Sequence, residues 1–496
     1  NEAMDKTGGN ASFVVSAGDQ IQTTKKKSPG KSEMTSEIEY TGYLSPDVLK
    51  SLPVATTVGN HDADNANYTY HFNTPNSSDL GSNGVVGGDY YFTYGNTLFM
   101  MLNTQDTNAA EHKQFMEQAI AANPNCTWRV VTLHQDIYGS AEHSNEPEIT
   151  NLRYTLVPYF EANDVDVVLT GHDHAYSRTH ILEGGHKTVE YTDDEFDAEL
   201  DKDMDAGENP ATRYEAPANI SADSKEPADV AYLNYLNAVM DKDAVEDTEK
   251  GETVVNPDGI LYMTANSSSG SKYYDLVPRM QSYIANRWQE DVPTYSVIDV
   301  TDNTFTINTY RTDNDQKIDE TFTIKKGVTE DIKSASVGKV KNQIYTGKQI
   351  QPALKVTLNG KTLKAGKDYT VTYTDNKNTG LAKATINGIG KYTGTQTVTF
   401  KIVPKKAVLK TVKAGKSGTA TVTIGKAGGK VSGYAIQVST DSSFKKVTTY
   451  RTAKTTYTLK NLSKGKTYYV RVKAFTKVSD KNVYGAASKT IKVKAK

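Results

Sequence analysis

Four short polar clusters in the N-terminal part of the chain contain the side chains that most readily bind metal ions. Each cluster follows directly after a run of apolar residues with the length of a buried strand. The clusters are Gly18-Asp19, Gly59-Asn60-His61-Asp62, His134 and Gly171-His172-Asp173-His174. Carboxylate, amide and imidazole groups together suit ions such as Mn, Fe or Zn. The pattern therefore indicates a metal site.

Taken singly, each cluster is also explained as a turn or a helix cap, because Gly, Asn and Asp are common in both. Gly18-Asp19 alone favours that interpretation. Four clusters in order favour a shared site, because ligands of open α/β sheets bind outside the carboxyl ends of the strands. An Asp that bridges two ions about 3.5–4 Å apart would create a site that grips a phosphate group.

The segments between the clusters predict the elements that must position them. Apolar, β-rich runs predict strands at 11–17, 54–58, 128–133 and 165–170. Apolar residues at helical spacing predict helices at 111–122 and 152–163. Strands that alternate with helices predict an α/β core. Residues 183–258 interrupt this pattern with an acidic insertion, predicted to contain a solvated loop at 193–205 and one helix near 228–240. The spacing of Asp201, Asp203 and Asp205 leaves a calcium loop as the alternative for the acidic segment.

The charge is divided unevenly along the 496 residues, although the net charge is only −2. Residues 1–326 carry −30, whereas residues 327–496 carry +28, with 34 basic and 6 acidic residues. Halves of opposite sign predict separate domains with separate roles. No apolar stretch reaches the roughly 18 residues that a membrane-spanning helix needs.

The four clusters together resemble those of the calcineurin-like metallophosphoesterases. The run 171–178 (GHDHAYSR) and the spacing from His134 to His143 are most similar to the purple acid phosphatase branch. The resemblance covers residues 1–326 apart from the insertion. It implies a four-layer α/β (α+β) sandwich and a phosphoester hydrolase that uses two divalent or trivalent ions, Fe, Mn or Zn.

The resemblance also implies a role for each residue. Asp19 would bridge both ions, Asn60, His134 and His172 would complete the second site, and His174 would bind at the first. Metal-activated water would attack the phosphate ester while His61 assists the leaving group. His143 would be a substrate-side histidine, although a solvated loop histidine is the alternative. Asp62 would orient His61 rather than bind metal.

Two departures from the family pattern set further expectations. Gln22 stands where the purple enzymes have a metal-bound tyrosine, so no tyrosinate colour is expected. The family also has an earlier Asp on a first strand, and Asp5 lies in a polar stretch that does not fit this role. The catalytic domain is therefore predicted to be N-terminally truncated, with a first metal site held only by Asp19 and His174, and restoring an upstream segment should raise phosphatase activity.

Past residue 326 the helical pattern ends, and short β-rich runs separated by turns predict two all-β sandwich domains. Residues 327–404 resemble an Ig-like repeat of bacterial surface proteins, and residues 405–496 resemble a fibronectin type III module with Tyr468 as its corner tyrosine. Such modules imply an extracellular or surface-displayed protein.

Two functional hypotheses follow. The first is a secreted or surface-displayed phosphoester hydrolase, of the acid phosphatase or phosphodiesterase type. Its basic half either contacts the cell wall or another anionic surface or simply uses lysine as its solubilising residue. The second is a non-catalytic adhesion or wall-binding protein with a degenerate phosphatase-like head. Dispersed lysines without stacking aromatics argue against nucleic acid as a partner other than as a substrate.

Overall fold

The computed structural model describes residues 2–23, 35–64, 66–185, 192–208, 221–246 and 253–496. The chain separates into two compact units, Asn1–Lys326 and Gly327–Lys496. The boundary coincides with the point where the charge of the sequence changes sign.

The first unit contains seven described helices and thirteen described strands. The helices are α1 (Glu2–Lys6), α2 (Thr35–Tyr43), α3 (Asn67–His71), α4 (Ala109–Ala122), α5 (Pro147–Ala162), α6 (Asp193–Glu208) and α7 (Pro227–Met240). The strands are β1 (Val14–Ser16), β2 (Val54–Thr56), β3 (Tyr90–Tyr94), β4 (Thr97–Met101), β5 (Trp128–Thr132), β6 (Val167–Thr170), β7 (Tyr176–Thr179), β8 (Thr253–Val255), β9 (Leu261–Thr264), β10 (Ile284–Trp288), β11 (Thr294–Val300), β12 (Thr304–Arg311) and β13 (Phe322–Lys325).

A seven-stranded sheet forms the centre of this unit, in the order β10-β7-β9-β6-β5-β4-β3. Its four middle strands are parallel, as the alternation of strands and helices predicts. Strands β1 and β2 form a separate parallel pair, and β11-β12-β13-β8 form a second sheet. Parallel pairing brings the carboxyl ends of neighbouring strands to one edge, where the polar clusters begin.

Two apolar layers hold the seven-stranded sheet in place. Helices α4 and α5 cover one face, with Phe115 and Phe160 buried against sheet residues such as Val131. The other face packs on the second sheet through side chains such as Phe305 and Ile324. This α/β sandwich, followed by β-rich sandwich domains, agrees with the fold class that the sequence predicts.

The acidic segment of the insertion is a helix, so the prediction of a solvated loop there is wrong. Phe196 and Leu200 lie on one face of α6 and are buried against Tyr235 and Leu236 of α7. Burial of this apolar face outweighs the repulsion among acidic residues that project to solvent. The predicted helix near 228–240 is α7.

The second unit consists of strands without α-helices over residues 327–496, all of which are described. The strands are β14 (Glu330–Asp331), β15 (Ser336–Val337), β16 (Gln343–Ile344), β17 (Val356–Leu358), β18 (Lys361–Leu363), β19 (Tyr369–Thr374), β20 (Gly380–Gly388), β21 (Tyr392–Thr393), β22 (Thr395–Val403), β23 (Val408–Ala414), β24 (Ala420–Gly425), β25 (Gly433–Ser439), β26 (Thr448–Thr452), β27 (Thr456–Leu459), β28 (Thr467–Val478), β29 (Lys481–Tyr484) and β30 (Ile491–Lys494).

Strands β23 to β30 enclose an apolar core between two sheets. One sheet has the order β23-β24-β27, and the other has β26-β25-β28-β29, with β30 also paired to β28. The hydroxyl of Tyr468 accepts a hydrogen bond from the backbone amide of Ser463 at 2.9 Å, as expected for a tyrosine corner.

Among the described helices, none combines the length and the apolar character needed to cross a lipid bilayer.

Candidate metal centre

Four loops at the carboxyl ends of parallel strands bring the predicted ligands together. Asp19 follows β1, Asn60 follows β2, His134 follows β5 and His172 follows β6. A hydrogen bond joins the loop after β6 to the loop after β5: the amide of Gly171 donates to the carbonyl of His134 at 3.0 Å. The sheet therefore delivers residues that are distant in sequence to a single position.

Metal-binding atoms of three other residues lie close to the Nε2 atom of His134. Asn60 Oδ1 lies 3.0 Å from it, His172 Nδ1 lies 3.1 Å from it, and Asp19 Oδ2 lies 3.3 Å from it. One donor atom each from Asp19, His134 and His172 lie within 4.8 Å of one another. His134 is buried, and Asn60 lies at the exposed rim.

These separations fit the coordination shell of a metal ion. At metal–ligand distances of about 2.1 Å, neighbouring donors of a tetrahedral or octahedral site lie about 3.0–3.4 Å apart. His134 Nδ1 donates to the carbonyl of Ala17 at 2.7 Å, which leaves the lone pair of Nε2 facing the cluster. Burial and the neighbouring His134 and His143 lower the pKa of His172 to about 2, so its imidazole is neutral, the form that binds metals.

Asp19 supplies the negative charge of the cluster. Burial by itself favours the protonated acid, but His134 and His61 hold the pKa of Asp19 below its ordinary value. The backbone amide of His61 donates to Asp19 Oδ1 at 3.0 Å, which leaves Oδ2 directed at His134. An ionised carboxylate with one oxygen fixed and one facing the cluster is suited to bind cations.

The ligand loops adopt backbone conformations that most side chains avoid. Asp19, His172 and His174 have φ values of 51°, 69° and 47°, in the left-handed region. Gly18 also has a positive φ, of 97°, and a Cβ there would lie 2.4 Å from His134 Nδ1. The loops therefore maintain a costly geometry around the cluster, as is common at functional sites.

Asp62 organises the backbone of the site. Its carboxylate accepts hydrogen bonds from the amides of Gly59 (3.0 Å) and Gln20 (3.3 Å) and from the hydroxyl of Tyr40 (2.9 Å). Burial and the nearby Asp19 raise the pKa of Asp62 to about 7. These contacts tie the loop after β1 to the loop after β2, so Asp62 is a positioning residue for the loops, whereas the sequence predicted that it orients His61.

His174 lies beside the cluster of Asp19, His134 and His172 and is not part of it. Its Nδ1 donates to the carbonyl of Lys272 at 3.1 Å, which leaves Nε2 as the free lone pair. Burial lowers the pKa of His174, which favours the neutral imidazole. This geometry is compatible with the predicted role of His174 at the first metal site, and that role stays a prediction. Asp5 lies on α1 and is not part of the cluster of Asp19, His134 and His172.

His143 packs against the cluster, as the resemblance implies for a substrate-side histidine, although it lies in a polar loop. Its ring centroid lies 4.8 Å from that of His172 and 4.6 Å from that of Tyr274. The hydrogen bond to Glu146, at 2.7 Å, raises the pKa of His143. A partly buried imidazole with raised proton affinity therefore stands next to the ligands.

The ring of Tyr274 contacts the rings of both His143 and His174. Its ring centroid is 5.0 Å from the His174 ring, and the ammonium of Lys272 lies 4.3 Å from the Tyr274 centroid and donates to its hydroxyl. The sequence analysis did not identify these two residues. They lie about a hundred positions after His174 and past the insertion, so no local signal connects them to the clusters.

A buried carboxylate holds His143 in place. Asp173 accepts hydrogen bonds from the amides of Ala141 (2.6 Å) and His143 (2.8 Å) and from the hydroxyl of Ser144. Burial and the neighbouring Asp136 raise the pKa of Asp173 well above its ordinary value. Asp173 thus connects the loop of His172 to the loop of His143, a function that its place in the Gly-His-Asp-His motif did not reveal.

Comparison with known families agrees with the fold and with these loops. Residues 2–176 match the family model of the calcineurin-like phosphoesterases. The N-terminal part of the chain carries a calcineurin-like phosphoesterase domain. Residues 409–490 match the fibronectin type III domain. All five predicted ligands lie within the matched phosphoesterase range, whereas Lys272 and Tyr274 lie beyond it.

Known proteins similar to this chain cover only parts of it. Two uncharacterised proteins of Mycobacterium tuberculosis are 26% identical over 156 residues, which is 27% of this chain and 29% of each relative. The purple acid phosphatase from yellow lupin (Lupinus luteus) seeds is 13% identical, with 63% of this chain and 53% of that chain covered and a TM-score of 0.36. An Fn3-like protein from Clostridium thermocellum is 24% identical over 19% of this chain and 91% of its own, with a TM-score of 0.16.

Proposed function

We propose that the calcineurin-like phosphoesterase domain hydrolyses phosphate esters with two bound metal ions. The observation that carries the proposal is the convergence of Asn60, His172 and Asp19 on the Nε2 atom of His134 at 3.0–3.3 Å. His174 would bind the ion of the first site, and Asp19 would contact both ions. When bound, such ions would polarise the phosphoryl group and neutralise charge on its oxygens. Nitrogen and oxygen donors suit Fe, Mn or Zn.

The protein residues around the cluster would orient the ester and move its protons. His61 directly follows Asn60 in the same loop, and its backbone amide donates to Asp19 Oδ1 at 3.0 Å, so its side chain would be available to assist the leaving group. His143, with its raised pKa, would donate a hydrogen bond to a phosphate oxygen or to the leaving oxygen. The Tyr274 ring would exclude water from one side.

Removal and restoration of metal test the proposal. The full chain, treated with a chelator, is expected to lose hydrolysis of p-nitrophenyl phosphate or of bis-p-nitrophenyl phosphate and to regain it with Fe, Mn or Zn. Elemental analysis after the metal is added back should show that the metal content of the chain rises together with its activity. A folded, metal-loaded chain that hydrolyses neither ester would favour the alternative of a non-catalytic adhesion protein with a degenerate head.

Replacement of His143 by asparagine should separate substrate handling from metal binding. The His143→Asn chain is expected to lose about a hundredfold in kcat/KM, within the range typical of a positioned acid or hydrogen-bond donor, and to keep its metal content. The matched control is His180→Asn, because His180 is exposed at the end of β7. Loss of metal from the His143 variant would make it a ligand, and unchanged kinetics would remove it from the mechanism.

We also propose that the protein acts outside the cell. The support is the fibronectin type III domain at residues 409–490 and the β-rich architecture of residues 327–404, for which the Ig-like assignment is still a prediction. This support is an analogy of fold. Fractionation of the source cells with an antibody against the chain would test it, and recovery in the cytoplasm alone would contradict it.

A further inference from the structure

The fibronectin type III module holds most of the net positive charge of residues 327–496. Residues 405–496 contain 22 basic and 2 acidic residues, a net charge of +20, compared with +8 for residues 327–404. A charge of this size on about ninety residues costs stability through self-repulsion. Its distribution over the two sheets is therefore informative.

Strand alternation places a group of cations on one outer face. In β28, Val470 and Val472 are buried in the core, so Tyr469, Arg471 and Lys473 point outward. The strand register extends this face over the neighbouring strands, since directly opposed residues lie on the same side. It pairs Lys473 with Ala435, Ala435 with Arg451, Tyr469 with Lys492 and Thr467 with Lys494. The basic face is thus formed by Arg451, Arg471, Lys473, Lys492 and Lys494.

Both arginines of the face are held by neighbouring side chains. Arg471 donates to Gln437 Oε1 at 2.7 Å, and its guanidinium lies 4.0 Å from the centroid of the Phe444 ring. Arg451 donates to the hydroxyl of Tyr484 at 3.3 Å. These contacts fix the positive charges in space before any ligand arrives, which lowers the entropy cost of binding.

The face contains no carboxylate that would neutralise it. The two acidic residues of 405–496, a segment that is described throughout, are Asp441 and Asp480, and both lie in turns. Asp441 is occupied by hydrogen bonds from the amides of Ser443 and Lys445. The cations on the strands therefore present an uncompensated positive surface.

We propose that this basic face binds a flexible linear polymer of phosphodiesters that carries no bases. By strand geometry, Arg471 and Lys473 lie about 7 Å apart along β28, and Lys492 and Lys494 lie about 7 Å apart along β30. Arg451 lies about 10 Å from Lys473, with β25 between them, so several phosphates of one chain can be contacted at once. Lysine ammonium groups act as point charges that demand no fixed phosphate geometry, which suits a flexible polyol phosphate. The proposal does not depend on catalysis by the phosphoesterase domain.

The same face is poorly suited to single-stranded nucleic acid. Such binders stack successive bases on a series of exposed aromatic rings. Here Phe475 is buried, and Tyr484 is engaged by Arg451, which leaves Tyr469 as the half-exposed ring among the cations. The basic face can therefore recognise a polyanion through its charge but not through base stacking.

Binding of a fluorescent poly(glycerol phosphate) to the full chain, in chelator and at several salt concentrations, tests the proposal. The face variant is R451Q/K473Q/K492Q/K494Q. The matched control is K416Q/K426Q/K454Q/K464Q, which removes four exposed charges from turns and other parts of the same module. The face variant is expected to bind at least tenfold more weakly, and its slope of log K against log salt should fall by about 3. The control should change less than threefold.

Three results would overturn the proposal. Equal losses in both variants would show that the charge acts diffusely, absence of binding by the unmodified chain at low salt would exclude the ligand, and tenfold tighter binding of oligo(dT) would identify a nucleic-acid surface. Circular dichroism melting must show that the variants fold. If the fourfold variant does not, the double variant K492Q/K494Q, on the exposed positions of β30, is expected to lose about threefold or more, and no loss would count against the proposal.

Discussion

Replacement of Asp19 by asparagine is expected to lower kcat for phosphate esters about a thousandfold, equivalent to about 4 kcal/mol in the barrier. Asparagine has nearly the same shape and can still accept the hydrogen bond from the His61 amide. It lacks the negative charge that faces His134 at 3.3 Å, and the bound metal should fall with the activity. Kinetics and elemental analysis of the same sample measure both effects.

The matched control is Asp5→Asn, an identical change of charge on the exposed surface of α1. It should leave both activity and metal content unchanged. If Asp19→Asn keeps its metal and its rate, Asp19 is not a ligand, and the proposed centre is wrong. If Asp5→Asn loses metal, the rejection of Asp5 as a ligand is wrong.

The second large effect is expected from a single methyl group at position 59. A Cβ on Gly59 would lie 2.1 Å from Asp19 Oδ1 and 2.2 Å from the Asp19 amide nitrogen, far inside van der Waals contact. Because one of these atoms belongs to the backbone, the loop after β1 must move for Gly59→Ala to fold. We expect at least a hundredfold loss of activity with reduced metal content, since a shift of about 1 Å suffices for that loss.

Gly42→Ala is the control for this substitution. Gly42 lies in α2 with no neighbouring atom within 4 Å of the added carbon, and alanine favours a helix by up to about 1 kcal/mol. That variant should melt at the same or a higher temperature with normal activity. A Gly59→Ala chain that keeps normal activity and metal content would show that the two loops are not packed as described.

The sequence was enough to predict that the candidate ligands come together, because the two signals on which this prediction rests are local. An apolar run predicts a strand such as β5 or β6, and a polar residue directly after it marks the carboxyl end. Knowing that parallel strands share this edge was enough to place His134 and His172 together. Strand boundaries differed from the predictions by a few residues, as in β1, where three residues of the predicted seven are paired.

The remaining features depend on contacts between distant segments, which a single sequence does not display. Tyr274 reaches His143 and His174 only because the chain returns to the site after the insertion. The helix α6 was missed for a different reason. Phe196 and Leu200 have the spacing of residues on one face of a helix. The many acidic residues around them favoured a solvated loop in the prediction.

The distribution of the ligands over four loops has a consequence for the order of events during biosynthesis. Asp19 is made early, whereas His172 and His174 emerge only after the strands β3 to β6 that place them, so a nascent chain cannot assemble the cluster piecemeal. Contacts between segments so far apart in sequence form slowly. Ions that require all four loops would bind only chains that have already completed the sheet, and their binding would stabilise the correctly folded chain over incompletely folded ones.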